Sequence, residues 1–513
     1  MILRLLTVAS ALAVALALAV TDARAQRRDL SDVEVKDVGN GPITSDDDVI
    51  GYYFLYRIGK AKKGEFLLVL TDGDLEPIQR IELEMDATSK AVRGYFNGTA
   101  VCLLTYTGQD LELHTFSAAG EPLGHRTLAS RPEYLLRHFW LEQTIGEGAT
   151  ALVTPVPGKG FVLYRPWLKS GQGEYTILFL PDDLDEAEGW TYESDKGRGL
   201  LTRRSVTLLA TPDYVVTRLI NRHRTDGHAN DVEVRRVSDG SLAFAYDPDD
   251  GETSMRIQGA YFDADAEALV FAGTRFASGA DQYEGDGDGI AIARVNMSGE
   301  EVARASYTWA QVAGELGAAA ASHFDRGGRM HVHRVVRQPS GGYVFVGEAY
   351  VTDAGRTKTD DREDLKRRRK GLPPAWEQYQ DFAAVSLTED FALAGGQTFG
   401  GQRTKPEWFS INFAPGSTDP TYLEFDDVYH YGQSLPGGRG YVFAYYRYPD
   451  KLEASKELVV VTDYGDGEGA FEKVFRPSDG ATESRYIMAK PGFVLVNENF
   501  ADKAPTLRLE PVD

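Results

Sequence analysis

The sequence predicts an all-β fold, a β-propeller built of four-stranded antiparallel blades. Three observations predict it: a glycine-led apolar strand that recurs along the chain, a hairpin that follows most copies, and strands that stay apolar at consecutive positions. The recurring strand is GYYFLYRI from Gly51, GFVLYRP from Gly160, GYVFVGEAY from Gly342, GYVFAYYRY from Gly440 and GFVLVNENF from Gly492. Weaker copies stand at TAVCLLTYT, YVVTRLI and ALVFAGTRF. The strand starts, at 51, 99, 160, 214, 268, 342, 440 and 492, are mostly about 50–60 residues apart, and the two wider gaps hold insertions. Such a period marks a repeat array.

The hairpin signature follows the strand. LLVLTDGDLEPIQRIEL, LELHTFSAAGEPLGHRTL, VEVRRVSDGSLAFAY, IARVNMSGEEVARASY, AAVSLTEDFALAGGQTF and LVVVTDYGDGEGAFEKVF each join two β-branched runs through Asp, Ser, Asn or Gly. Those residues suit tight turns between antiparallel strands. One more strand precedes the glycine, as MHVHRVVRQP does before GGYVFVGEAY, which makes four strands per repeat.

A blade is covered on both flanks by its neighbours, so its central strands can be apolar at every position. Tyr52-Tyr53-Phe54-Leu55 and Tyr343-Val344-Phe345-Val346 fit that environment. A strand with one wet face alternates instead, which weighs against a sandwich; a solenoid is the other competitor. The leading glycine permits a sharp reversal into the strand. Eight repeats favour eight blades, with seven as the alternative.

The last unit offers RYIMAK, GFVLVNENF and TLRLEPV, and the sequence then stops short of an outermost strand. VEVKDV, at 33–38, is expected to supply it and so to seal an open sheet edge. The chain then divides into a leader (1–25), a linker holding this closing strand (26–46) and the propeller (47–513).

Two interruptions carry helical patterns. WAQVAGELGAAAA, 309–321, is alanine-rich, and VTDAGRTKTDDREDLKRRRKGLPPAWEQY, 351–379, holds the basic run KRRRK. The basic run has two readings, a solvated face neutralised by Asp360, Asp361, Glu363 and Asp364, or a docking loop for an acidic partner.

The chain opens with one early Arg4, an apolar run LLTVASALAVALALAV and the small-residue site Ala-Arg-Ala ending at Ala25. This is the pattern of a secretory signal. The run is short for a membrane span, so a periplasmic or secreted protein with no span after cleavage is expected. Cleavage removes Arg4, Asp22 and Arg24, which takes the net charge from −22 to −23. So acidic a surface argues against nucleic acid and anionic membrane as partners. The single cysteine, Cys102, lies in an apolar strand and is read as core.

Metal candidates are weak. Glu284, Asp286 and Asp288 alternate with glycines in YEGDGDG, a pattern that can converge on calcium but lacks the further ligands of a full loop. Asp463, Asp466 and Glu468 repeat the pattern more faintly. His331 and His333, two apart on a strand and therefore on one face, are candidates for zinc with a third ligand from another blade. Histidines lining a wet axial channel are the competing reading, and the remaining histidines show no metal spacing.

No nucleophile elbow, Walker loop or dinucleotide glycine motif occurs in the sequence. Whether the protein is an enzyme is left open, with no catalytic residue and no cofactor assigned. The expected function is a non-catalytic binding or scaffold module, a monomer, for a protein or glycan partner. The alternative is a glycan hydrolase or lyase using carboxylates at one channel mouth, with tyrosines such as Tyr429 and Tyr431 against sugar rings.

VIGYYFLYRIGKAKKGEFLLVLTDGDLEPIQRIELE and RGYFNGTAVCLLTYTGQDLELHTFSAAGEPLGHRT are similar to an uncharacterised family of exported, propeller-like bacterial proteins. The likeness is clearest over 50–130 and echoes in GYVFAYYRY. It implies the fold and export, and carries no site residues to this chain.

Overall fold

Each glycine-led word is the second strand of a four-stranded antiparallel meander. These second strands are Asp48–Arg57, Ala100–Tyr106, Gly160–Pro166, Tyr214–His223, Ala268–Ala277, Tyr343–Val351, Tyr441–Arg447 and Phe493–Phe500. The computed structural model describes the chain apart from residues 1–25, 30–35, 46–47, 59–63, 108–109, 131–152, 167–174, 195–199, 224–227, 281, 283–286, 316–327, 339–340, 352–377, 400–406, 412–420, 426–428, 436–439, 448–456, 464–470, 502–505 and 513. The leader 1–25 therefore lies outside the described residues.

Eight meanders follow in order: 36–84, 90–130, 153–193, 200–246, 253–308, 328–399, 429–475 and 481–511. The first two join into one eight-stranded sheet, because their first strands pair in parallel through Ile43↔Gly94 and Thr44↔Tyr95. A two-stranded hairpin, Glu407–Ile411 with Thr421–Phe425, stands between the sixth and seventh.

The side chains show why the central strands are apolar throughout. Tyr52, Phe54 and Tyr56 pack into a cluster with residues of the seventh and eighth meanders, including Val460, Leu495 and Leu509. Their neighbours Tyr53 and Leu55 point the other way, against Val101 and Leu103 of the second. Likewise Tyr343 and Phe345 meet the fifth meander, while Val344 and Val346 meet the seventh. Burying each such side chain contributes about 1.5–3 kcal/mol. Seven clusters cover every seam between successive sheets, and one of them joins the eighth sheet to the first. That is a closed ring of eight blades.

Polar contacts lock the final seam as well. Lys490, in the eighth blade, pairs with Asp74 of the first, and its backbone N–H donates to the Tyr52 hydroxyl at 3.3 Å. The eighth blade has three strands from the C-terminal end, and Gln26–Asp29 completes it by pairing antiparallel with Thr506–Pro511. This corrects the expectation that 33–38 would close the ring. Residues 36–38 instead begin the innermost strand of the first blade, Lys36–Ser45. Both segments precede the first glycine-led strand, and the four-residue QRRD has no apolar alternation by which to recognise it.

The helix expected over 309–321 is described as Trp309–Glu315. A capping box starts it: Thr308 N–H donates to Gln311 Oε1 at 2.8 Å, and Gln311 N–H donates to Thr308 Oγ1 at 3.4 Å.

An even number of strands per blade returns the chain to the same rim each time. Connections between second and third strands, and between successive blades, therefore share one rim; the other two classes share the opposite one. Every connection of nine residues or more, namely 131–152, 278–288, 309–327, 352–377, 400–428 and 448–456, belongs to the first rim. On the opposite rim the longest is 182–189.

Candidate functional site

Among the described residues, the sequence-predicted candidates join no cluster of metal-ligating side chains. Glu284 and Asp286 lie outside the described residues, as do Asp466 and Glu468. Asp288 is ion-paired with Arg275, and its backbone N–H donates to the Arg275 carbonyl at 2.9 Å. Its own carbonyl accepts from the Trp309 N–H at 3.0 Å, so Asp288 ties the start of a strand to the start of the helix.

His331 and His333 lie on the innermost strand of the sixth blade, Gly328–Arg337. His331 is paired with Glu348, but the register shifts between Val332 and Arg334, leaving His333 as the extra residue of a bulge. That bulge interrupts the two-residue alternation on which the reading of both histidines as sharing one face rested. Comparable shifts occur at Ala91/Arg93, Ile257/Gly259 and Tyr429/Tyr431 in other innermost strands, the last beside the two candidate sugar-stacking tyrosines.

A different cluster does converge. In the second blade, the third strand Asp110–Ser117 carries Glu112 and His114 on one face, and the outermost strand Pro122–Ser130 places His125 directly opposite His114. Leu111 and Leu113 face the third blade, so the even positions turn toward the first, where Phe116 joins the shared core. The hairpin turn sets this register. Ser117 N–H donates to the Glu121 carbonyl at 2.8 Å, and Gly120, at φ 84°, takes a left-handed conformation that suits glycine.

Glu112 Oε2 lies 3.6 Å from His114 Nε2 and 3.7 Å from His125 Nε2. The two imidazoles stack with centroids 4.5 Å apart and planes inclined by 23°. Exposure is graded: 10% for the His114 side chain, 16% for Glu112 and 55% for His125, so the site is buried at one end and open at the other. Burial pushes His114 down to about 4, with the neighbouring His125 adding to the effect, so its ring is neutral at neutral pH. His114 Nε2 is buried and has no hydrogen-bond partner. A neutral imidazole, a second imidazole and a carboxylate, with one ligand atom of each lying within 4.8 Å of the others, form a candidate donor set for a metal ion.

Sequence reading recognised this hairpin but treated its histidines as scattered. Folding LELHTFSAAGEPLGHRTL about Gly120 would have set His114 opposite His125, eleven residues apart along the chain. The signal was the register of one turn.

Other perturbed groups are clamps between strands and blades. Tyr246 is pushed up, first by burial and then by donating to Glu301 Oε2 at 2.6 Å. Arg304 holds the same carboxylate at 2.8 Å and also donates to the Tyr246 hydroxyl and the Pro248 carbonyl, both at 3.0 Å. This knot ties the fourth blade to the fifth.

The profile of a family of unknown function, DUF6770, matches residues 6–362. The chain belongs to that family. A comparison with curated protein sequences gives no match. Among solved structures, this DUF6770 member is similar to the WD40 domain of SCAP from fission yeast, at 9% identity and a TM-score of 0.39, covering 95% of this chain and 94% of that one. The Dos1 propeller gives 7% and 0.38, with 93% and 95% covered. Prolyl oligopeptidase B from Galerina marginata gives 8% and 0.39, and 91% of this chain spans 56% of that one. The strand pairing and the seam clusters, rather than these distant likenesses, establish the ring. Among the described residues, no helix is long and apolar enough to cross a membrane.

Cys102 of the DUF6770 member is fully buried among Tyr95, Leu104 and Phe161, and burial pushes its thiol up. It should resist a thiol reagent in the native protein and react with one equivalent once unfolded. Rapid native labelling would contradict a core role.

Proposed function

We propose that the protein is an exported, non-catalytic propeller that binds a protein or glycan partner at the rim carrying its long connections. The observation that carries this reading is the asymmetry of the ring. Eight rigid blades route every connection of nine residues or more to one rim and leave connections of eight residues or fewer on the other. Long loops held by a rigid scaffold are where recognition is commonly built. The signal-like leader supports an envelope or extracellular setting, and the acidic composition supports a partner other than nucleic acid.

Segment 351–379, the basic insertion, leaves the sixth blade between its second and third strands, and so from the long-loop rim. Only 351 and 378–379 fall within the described residues, as strand ends. The test is capture from an envelope extract using the protein and a variant in which 352–377 is replaced by a short glycine-serine linker. A defined partner should be recovered by the first and lost by the second. Equal recovery would remove the insertion from the interface, and turnover of polysaccharides in a broad screen would overturn the non-catalytic reading.

A further inference from the structure

We propose that Glu112, His114 and His125 form a binding site for a divalent transition-metal ion of the zinc type, at the outer edge of the seam between the first and second blades. The donors are already close to the required spacing. Zinc holds imidazole nitrogens and carboxylate oxygens at about 2.0–2.2 Å, which sets tetrahedral donors about 3.3 Å apart. The carboxylate here stands 3.6 and 3.7 Å from the two imidazole nitrogens, and all three donor atoms lie within 4.8 Å of one another. Turning the exposed His125 out of its stack on His114, so that the two ring planes meet at the ion, completes the three-donor arrangement.

His114 supplies the independent sign of a ligand. Its Nε2 is buried beside the carboxylate without a hydrogen-bond partner. Leaving such a group unsatisfied is unfavourable, and a metal bond satisfies it. The backbone ladder fixes the relative position of His114 and His125, so little ordering is left for binding to impose. Two nitrogen donors to one oxygen select a borderline ion over calcium or magnesium, which need oxygen shells. Three protein donors leave a fourth position open on the His125 side, for water or for a side chain of a partner. The site lies mid-strand on a blade flank, so its occupancy is separable from binding at the long-loop rim.

The test is titration of the metal-stripped protein with Zn²⁺ followed by calorimetry, with Ca²⁺ as the comparison and Co²⁺ as the spectroscopic probe. One equivalent of Zn²⁺ should bind, Ca²⁺ should give no saturable heat, and Co²⁺ should develop the intense visible bands of a tetrahedral site. His125→Ala is the primary variant because its side chain is exposed, and Glu112→Gln is the second. Each should weaken Zn²⁺ binding at least about tenfold and abolish the Co²⁺ bands, with the metal-free unfolding midpoint unchanged. Zinc binding that is absent, or that survives both substitutions at full strength, overturns the assignment and leaves the rim proposal intact.

Discussion

A chain that starts at residue 30 will be less stable than one that starts at Gln26 by about 3–4 kcal/mol, and it will self-associate. Residues Gln26–Asp29 pair in register with Leu509, Arg508, Leu507 and Thr506, and so form the outermost strand of the eighth blade. Each lost ladder hydrogen bond contributes about 1 kcal/mol net, which sets the scale. Removal also uncovers the backbone groups of Thr506–Pro511, an edge able to template pairing with another chain. The strand has a topological role besides, because its pairing couples the two ends of the sequence. Denaturant unfolding of the two forms, with light scattering at the same concentrations, checks the result. Equal midpoints and equal monodispersity would mean that the ring is held by the seam contacts alone.

Glu498→Ala will destabilise the protein by about 3–5 kcal/mol, as expected for one partner removed from a buried charge pair. Glu498, on the second strand of the eighth blade, is fully buried. Its carboxylate accepts from the Ser478 backbone N–H and hydroxyl, both at 2.7 Å, and from the Ser484 hydroxyl at 3.2 Å. It is also ion-paired with Arg508, which reaches Glu510 at 2.6 Å. Ser478 belongs to the connection arriving from the seventh blade, so one side chain pins that connection to two strands of the eighth. Alanine leaves Arg508 half-compensated and strands the Ser478 donors in an apolar setting.

The same group sets an acid limb. Burial by itself would raise the Glu498 carboxyl, but Arg508 and the Ser478 donors outweigh it and hold the carboxyl below its ordinary value. A lowered folded-state pKa means that the unfolded chain binds the proton more readily. The contribution is therefore complete above the ordinary glutamate range and is lost as the pH falls through the folded value. Glu498→Gln keeps the volume and removes the titration. Its unfolding free energy should fall less steeply than the parent's below about pH 4.5. Parallel acid limbs for the two proteins would exclude Glu498 as a source of that slope.

How much was legible in the sequence follows from the range of each signal. Tyr52-Tyr53-Phe54-Leu55 announces a strand buried on both faces through its own composition, and eight such words announced eight blades. The hairpin turns were equally local, and six were readable as written. The closing strand was not, since QRRD has no pattern and only its distant partner near Leu509 marks it. The two histidine pairs depend on register in opposite ways. His331 and His333 looked coplanar because alternation was assumed, and the bulge at Val332/Arg334 breaks it. His114 and His125 looked unrelated because their relation depends on the register about Gly120.

By itself, then, the sequence determined the repeat and the burial of Cys102 and favoured eight blades over seven, since each depends on residue type and short-range periodicity. Tertiary structure alone decided which segment closes the ring, which carboxylates serve as clamps, and which three side chains meet as a donor set. Those are properties of register and of contacts between residues far apart in the chain. A one-residue shift reverses them without changing the composition of any strand.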